Sequence, residues 1–112
     1  MIEPTRYVGN SDFHDGYILA VVKQADSVTV TIKGGSGKHY TVTFEGVASI
    51  QSDSPEGMML YGLRESDTAT ASLHRYAFVN WNVDDPNTEE SKSRLEILAE
   101  GFTESRWPIS PT

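Results

Sequence analysis

The chain contains no cysteine, which excludes a disulfide framework and a thiolate metal site. It also has no apolar run as long as a membrane-spanning helix requires. Residues 1–6 carry an acid and a proline where a secretory signal would have a basic patch followed by an apolar core. We therefore expect a protein of a reducing compartment, the cytoplasm, without membrane contact.

Positive charge is scarce, because nine Lys and Arg residues stand against sixteen Asp and Glu, giving a formal charge of −7. A nucleic-acid partner is not expected, since few cations are available to displace counterions from a phosphate backbone. An acidic surface instead favours a basic protein as partner, as in acidic inhibitors of nucleases. The same charge also fits the ordinary solubility of a small domain, so both interpretations stay open, and the oligomeric state is not indicated.

The clearest patterning lies in residues 13–47, which predict three consecutive antiparallel strands. In residues 27–33 and 39–45 large apolar side chains alternate with polar ones, and a period of two is typical of a strand with one buried face. Between them, residues 34–37 (Gly-Gly-Ser-Gly) provide the backbone freedom that a hairpin loop needs.

Weaker apolar runs predict further strands. A short strand is expected at residues 7–8 and a longer one at 58–63. Residues 17–22 and 73–81 are apolar at both parities, which predicts strands covered on both faces, the first of them central in its sheet. Residues 64–72 are polar and small and predict a connection.

Residues 94–102 allow two interpretations. Leu95, Ile97 and Ala99 alternate with polar residues as in a strand. Good helix formers in the same segment, with a possible cap at Asp85 and Gly101 at the end, imitate a helix. We favour the strand, because the rest of the chain has the pattern of a β meander.

These elements predict an all-β fold, a mainly antiparallel meander of about six to eight strands that forms a sandwich or an open barrel. Residues 1–112 are expected to form a single β domain, since no repeat or linker divides them and the length suffices for a core. Prolines cannot donate to a strand ladder, so residues 107–112 are expected to form a loose C-terminal tail.

His14 and Asp15 are the candidate catalytic residues, because an imidazole beside a carboxylate can act as an acid/base pair or as metal ligands. Neighbours in sequence share a site only in a turn, and Gly16 favours one here. The structural alternative is that Asp15 caps this turn while His14 donates to a backbone carbonyl. We further expect Ser11 or Asp12 to cap a helical turn at residues 13–15.

Four aromatic residues are candidates for lining a ligand cavity if the sheet curls: Tyr61, Tyr76, Phe78 and Trp81. The alternative is that they fill the core. No metal ion or other cofactor is predicted, because His14, His39 and His74 lack paired ligand spacing. Residues 34–38 lack the first glycine and the final Ser or Thr of a phosphate-binding loop.

Three stretches carry a resemblance: FHDGYILAVV with the hairpin after it, the Phe-Glu-Gly-Val step at 44–47, and the late Leu-Glu-Ile-Leu-Ala-Glu at 95–100. With these words the chain resembles a loose group of small uncharacterised bacterial β-domains, some of which resemble immunity proteins of polymorphic toxin systems. The resemblance implies a non-enzymatic, protein-binding role. Inhibition of a basic toxin is one such role. The alternatives are a small-ligand-binding β-barrel and a hydrolase or lyase that uses His14 and Asp15.

Overall fold

The computed structural model describes residues 5–53, 55–80 and 95–106. The described chain is all-β, as predicted, with one short 3-10 turn at Ser11–Phe13. Its strands are β1 (Thr5–Val8), β2 (Tyr17–Gln24), β3 (Ser27–Lys33), β4 (His39–Glu45), β5 (Ser49–Ser52), β6 (Leu60–Asp67), β7 (His74–Asn80), β8 (Leu95–Ala99) and β9 (Gly101–Arg106).

The strands form two antiparallel sheets, one ordered β1-β6-β7-β8-β5 and the other β2-β3-β4-β9. Each sheet contains a three-strand meander, β2-β3-β4 and β6-β7-β8. The sheets do not close into a barrel, so the architecture is consistent with a sandwich.

The alternation in β3 and β4 sets the core. The apolar members of both strands are buried and their threonines are half-buried on the other face, which confirms the predicted register. Because the side-chain period of a strand is two, the same face collects every second residue. The core joins side chains from both sheets: Val28, Val30, Ile32, Tyr40, Val42 and Phe44 from one, and Leu60, Leu63, Tyr76, Phe78, Leu95 and Ile97 from the other.

The two sheets are joined at one end, where the start of β2 also pairs with the chain entering β6. Ile18 N donates to Met58 O (3.1 Å) and Leu60 N donates to Gly16 O (2.7 Å). Next to this junction each strand contains a β-bulge, at Leu19 in β2 and at Tyr61 in β6, where the register shifts. A bulge bends its strand, and these two let both strands leave the junction for different sheets.

Two strand predictions are wrong in part. Residues 17–22 are not central, since β2 is an outer strand in the order of its sheet, and Leu19 and Val22 are exposed rather than covered. The bulge at Leu19 explains this, because it changes which face the following residues occupy. Residues 64–67 are not a connection but the second half of β6, paired with β7 throughout and with β1 as far as Ser66.

The later segments follow the prediction more closely. In β7 the residues from Tyr76 to Val79 are buried at both parities, as expected, whereas Arg75 near the start of the strand is exposed. Residues 95–102 are extended, which confirms strand over helix, but they divide at Glu100 into β8 and β9 of different sheets. The predicted tail at 107–112 lies outside the described residues. Within the described ranges, no helix is long and apolar enough to cross a membrane.

Candidate functional site

The Ser11–Phe13 turn starts the functional region. Asn10 caps it, since its side chain accepts from Asp12 N at 2.8 Å and its carbonyl accepts from Phe13 N at 3.0 Å. The expected cap at Ser11 or Asp12, for a turn at residues 13–15, is therefore wrong, because both the cap and the turn lie earlier in the chain. Asn10 takes the position because the turn begins at Ser11, two residues earlier than expected, and buried Phe13 is its last residue.

The Asp12 carboxylate binds the turn to the glycine-rich loop at 34–37. Its oxygens accept from Ser36 N (3.0 Å), from Ser36 Oγ (2.6 Å) and from Tyr40 OH (2.8 Å). Gly35 N also donates to Asp12 O at 2.8 Å. The hydrogen bonds from Ser36 and Tyr40 stabilise the ionised carboxylate and hold the pKa of Asp12 below its ordinary value. Sequence reasoning missed this contact because its members are 24 and 28 residues apart.

His14 follows the turn and its ring orientation is fixed by a backbone group. Its Nδ1 lies 3.1 Å from Tyr61 O, and because a carbonyl oxygen only accepts, Nδ1 is the donor. The structural alternative for His14, donation to a backbone carbonyl, is confirmed. In the neutral ring this places the lone pair on Nε2, which lies 3.8 Å from Asp15 Oδ1.

The turn is capped by Asn10, so the predicted cap at Asp15 is wrong. The backbone of Asp15 has φ +69°, in the left-handed region, and its N–H donates to Leu60 O at 3.0 Å. Both the His14 and the Asp15 side chains are about half exposed, and 3.8 Å exceeds hydrogen-bond length. A catalytic role for the pair stays a prediction. Among the described residues no group of three or more His, Cys, Asp or Glu side chains is placed to hold a metal ion.

The four aromatic candidates for a ligand cavity do not share one place. Tyr76 and Phe78 lie in the core against Phe44, with ring centroids 5.0 and 5.8 Å away, and burial raises the pKa of the Tyr76 phenol. Tyr61 lies on the outer surface, 40% exposed, between the buried residues Leu60 and Gly62. Trp81 lies outside the described residues.

An exposed aromatic stripe runs along the junction of the two sheets. We define it as Tyr7, His14, Tyr17, Met59 and Tyr61. The ring of Tyr61 contacts Tyr7 edge-on at 5.5 Å and His14 edge-on at 5.2 Å. Met59 is two residues before Tyr61 on the same face of the chain. Its backbone pairs with that of Tyr17 in an isolated antiparallel β-bridge. Four of the six large apolar side chains exposed in the described chain belong to this stripe.

A groove of about 340 Å³ opens beside the stripe. Its walls include Tyr7, Gly9, Phe13, His14, Tyr61 and Gly62. A Cβ on Gly62 would lie 3.0 Å from the Tyr7 ring, so a larger residue at this position would require the ring to shift. None of the described residues that line the groove is Lys, Arg, Asp or Glu. Two carboxylates flank it, Asp15 beside His14 and Glu104 beside Gly9.

The stripe and its groove present aromatic and apolar contact area. The aromatic rings of the stripe have polar tips, so the surface is amphipathic. Sequence reasoning missed Tyr7 and Met59 as members of this site, because no local pattern in the sequence separates exposed aromatic and apolar residues from core ones. No protein-family model, curated protein or solved structure matches this chain.

Proposed function

We propose that the protein is a non-enzymatic protein-binding domain, of inhibitor or immunity type, whose docking surface is the aromatic stripe. The observation that carries this proposal is the gathering of Tyr7, Tyr17, Met59 and Tyr61 into one exposed band. Exposed apolar side chains scattered singly are normal on a protein surface, whereas a contiguous group of them is typical of an interaction site.

The composition of the stripe supports a protein as the partner. Tyrosine is enriched at protein interfaces because it supplies a large apolar area together with a hydrogen-bonding tip, and methionine adapts to irregular surfaces. Tyr7 and Met59 are about half exposed, at 55% and 47%, so each has area left to bury. Burial against a partner would therefore release apolar surface from water at the centre of the contact.

The charge of the chain supports a basic partner. A formal charge of −7 creates a negative potential around the molecule, which speeds encounter with a positively charged surface. The groove is also complementary to a positively charged group, since carboxylates flank it and no Lys or Arg is among the described residues that line it.

Neither alternative has comparable support. A ligand-binding barrel needs a closed sheet and a cavity, but the sheets stay open and Tyr76 and Phe78 are packed in the core. A hydrolase or lyase needs a general base within hydrogen-bond reach of its partner groups, and the two side chains of the His14–Asp15 pair are 3.8 Å apart.

The test is site-specific photo-crosslinking in the organism that encodes the protein. A photoreactive amino acid replaces Met59 on the stripe, and in a control it replaces Gln51, which is exposed on β5 at the edge of the five-stranded sheet opposite β1. We expect the Met59 position to give a covalent adduct with one basic protein, identified by mass spectrometry. Identical adducts from both positions, or none from Met59, would contradict the proposal.

The identified partner is then purified and its affinity measured by calorimetry. Tyr61→Ala should weaken binding about tenfold or more, the usual scale for a central aromatic contact. Val22→Ala is the matched control, because Val22 is a comparably exposed apolar residue at the other end of β2. Equal losses for the two variants would show that the stripe is not the docking surface.

A further inference from the structure

A second depression, of about 460 Å³, meets the groove at Asn10. We call it the polar depression, because charged side chains of both signs line it. Lys38 and Arg106 are its cations, and Asp12 and Glu104 are its carboxylates. Its volume lies within the range of small-molecule sites in proteins. The depression therefore suits a small ligand that itself carries charge.

The Asp12 side of the polar depression is held by hydrogen bonds. The Asp12 carboxylate accepts from Ser36 and from Tyr40, which ties the turn to the glycine-rich loop and to the start of β4. The Tyr40 ring is buried and contacts Phe13 edge-on, with ring centroids 5.5 Å apart. These contacts hold this side of the depression in place, so a ligand would have little ordering of the chain to offset.

Strand β9 supplies charges of both signs on the other side. In the β4–β9 ladder Arg106 is opposite Tyr40, and Glu104 is opposite Val42. Residues directly opposite in an antiparallel pair share a face of the sheet, as do residues two apart on one strand. The side chains of Arg106 and Glu104 therefore lie on the face that carries Tyr40. Both are exposed, because β9 is an outer strand of its sheet.

The charges on this side have no partner of opposite sign. Among the described residues no ion pair includes Lys38, Arg106 or Glu104. Asp12 differs from them, since three donors already bind its carboxylate. The side-chain oxygen of Asn10 accepts from Asp12 N, so its NH2 group can donate to a ligand. The polar depression thus offers two cations, one carboxylate and one amide donor.

The two cations act on the polar groups that they face. The hydrogen bond from Ser36 is the main cause that lowers the pKa of Asp12, and the charge of Lys38 adds to it. Burial raises the pKa of Tyr40, and the charge of Arg106 opposes this. Lys38 and Arg106 therefore lie near the Asp12–Tyr40 hydrogen bond from two different elements.

We propose that the polar depression binds a free α-amino acid, with its carboxylate held by Lys38 and Arg106 and its ammonium group held by Glu104. A simple anion would be repelled by Glu104, and a simple cation by Lys38 and Arg106. A zwitterion pairs with both signs, and a guanidinium suits a carboxylate because it can donate two parallel hydrogen bonds. No member of the aromatic stripe lines this depression, so the site does not depend on the protein-binding role.

The test is an NMR titration of the whole protein with L-alanine at neutral pH and constant ionic strength, followed on the backbone amides of residues 34–40 and 101–106. We expect saturable shifts with a dissociation constant on the order of 1 mM or below. N-acetyl-alanine lacks the ammonium group and alaninamide lacks the carboxylate, so each should bind about fivefold more weakly or worse. Equal binding of alanine and either analogue, or no saturable shift in these segments, would overturn the proposal.

Three variants assign the charges to named residues, all of them exposed. Glu104→Gln should remove the preference for alanine over N-acetyl-alanine, because the ammonium group loses its partner. Lys38→Gln and Arg106→Gln should each weaken alanine about fivefold. Lys23→Gln is the matched control, because it removes an exposed cation near the far end of β2, and it should leave binding unchanged.

Thermal melts of the four variants check that each of them folds like the parent. A loss of alanine binding with Lys23→Gln equal to that with Lys38→Gln would reduce the effect to general charge and overturn the site. A Glu104→Gln variant that still prefers alanine over N-acetyl-alanine would also overturn it, since the ammonium group would then not be read by Glu104.

Discussion

At the scale of single residues, Asp12 and Asp15 show how two aspartates in one short turn serve different physical ends. Asp12 acts through its carboxylate, which collects three donors from the loop at 34–37 and from β4. Asp15 acts through its backbone, which turns left-handed so that its N–H reaches Leu60 O. Sequence inspection singled out Asp15 for its neighbour His14, whereas Asp12 makes more hydrogen bonds.

We expect Asp12→Ala to lower the free energy of unfolding by about 2 kcal/mol at neutral pH, because buried Tyr40 loses its acceptor. Asp12→Asn keeps an acceptor and should cost less. The pKa of Asp12 is lower in the folded chain than its ordinary value of 3.8, so the ionised carboxylate stabilises the fold above pH 3.8. This contribution is lost as the pH falls through the folded pKa.

Urea unfolding at a series of pH values measures the difference. The gap between the parent and Asp12→Asn should be full at neutral pH and should narrow below pH 3.8, where the parent carboxyl also becomes neutral. A gap that stays constant across this range would mean that the charge of Asp12 contributes nothing to stability.

For substitutions of Asp15, we expect the left-handed backbone to determine the change in stability. Asp15→Ala should destabilise the fold by about 1 kcal/mol, since a Cβ without a local polar partner is strained at φ +69°. Asp15→Gly and Asp15→Asn should be close to neutral, because both residues adopt this conformation readily. Thermal melts check this, with Asp26→Ala as the control at a turn outside the left-handed region. A Gly variant less stable than the Ala variant would show that the side chain matters more than the backbone.

At the scale of elements, local alternation predicted β3 and β4 down to the register, because one buried face enforces a period of two. It failed where the pattern is set by distant partners. The bulges at Leu19 and Tyr61 exist because the start of β2 pairs with two sheets at once, and no local signal announces that. The stripe depends on this junction, so the sequence could not place its members together.

The register itself is open to test. Val30→Asp and Val42→Asp should each destabilise the domain by about 4 kcal/mol or more, since both positions are fully buried and the charge would have no partner. Thr29→Asp and Thr43→Asp, on the half-buried face, should cost far less. Chemical denaturation of the four variants compares them, and equal damage at both parities would be incompatible with this sandwich.

The glycine-rich loop does more than reverse the chain. A Cβ on Gly34 would collide with the Asp12 carboxylate and come within 2.9 Å of Asp12 O, so Gly34→Ala should cost about 2 kcal/mol. Gly101→Ala is the matched control, because open space surrounds that position and its φ is not left-handed. We expect the melting temperature to fall for the first variant only. Similar stability of the two would mean that the loop and the turn are not packed together.

At the scale of the whole molecule, acidic residues lie both beside the stripe and far from it. Hydrogen bonds from Val47 N to Asp26 O (2.9 Å) and from Glu100 N to Glu45 O (3.0 Å) bring three acidic residues to one end of the four-stranded sheet. The junction with its stripe lies at the other end of β2, about 25 Å away at the rise of a strand. Part of the long-range attraction is therefore supplied at a distance from the contact surface.

This separation predicts how the basic partner should bind. The rate of association should fall about tenfold between roughly 10 mM and 150 mM salt, because the Debye length shrinks from about 30 Å to about 8 Å. Neutralising the acidic end with Asp26→Asn, Glu45→Gln and Glu100→Gln should slow association at low salt and flatten its salt dependence. The dissociation rate should stay unchanged, since these side chains lie away from the stripe, while Tyr61→Ala should act mainly on dissociation. Stopped-flow kinetics with the purified partner distinguish the two effects. An association rate that does not respond to salt would show that the charge of −7 serves solubility alone.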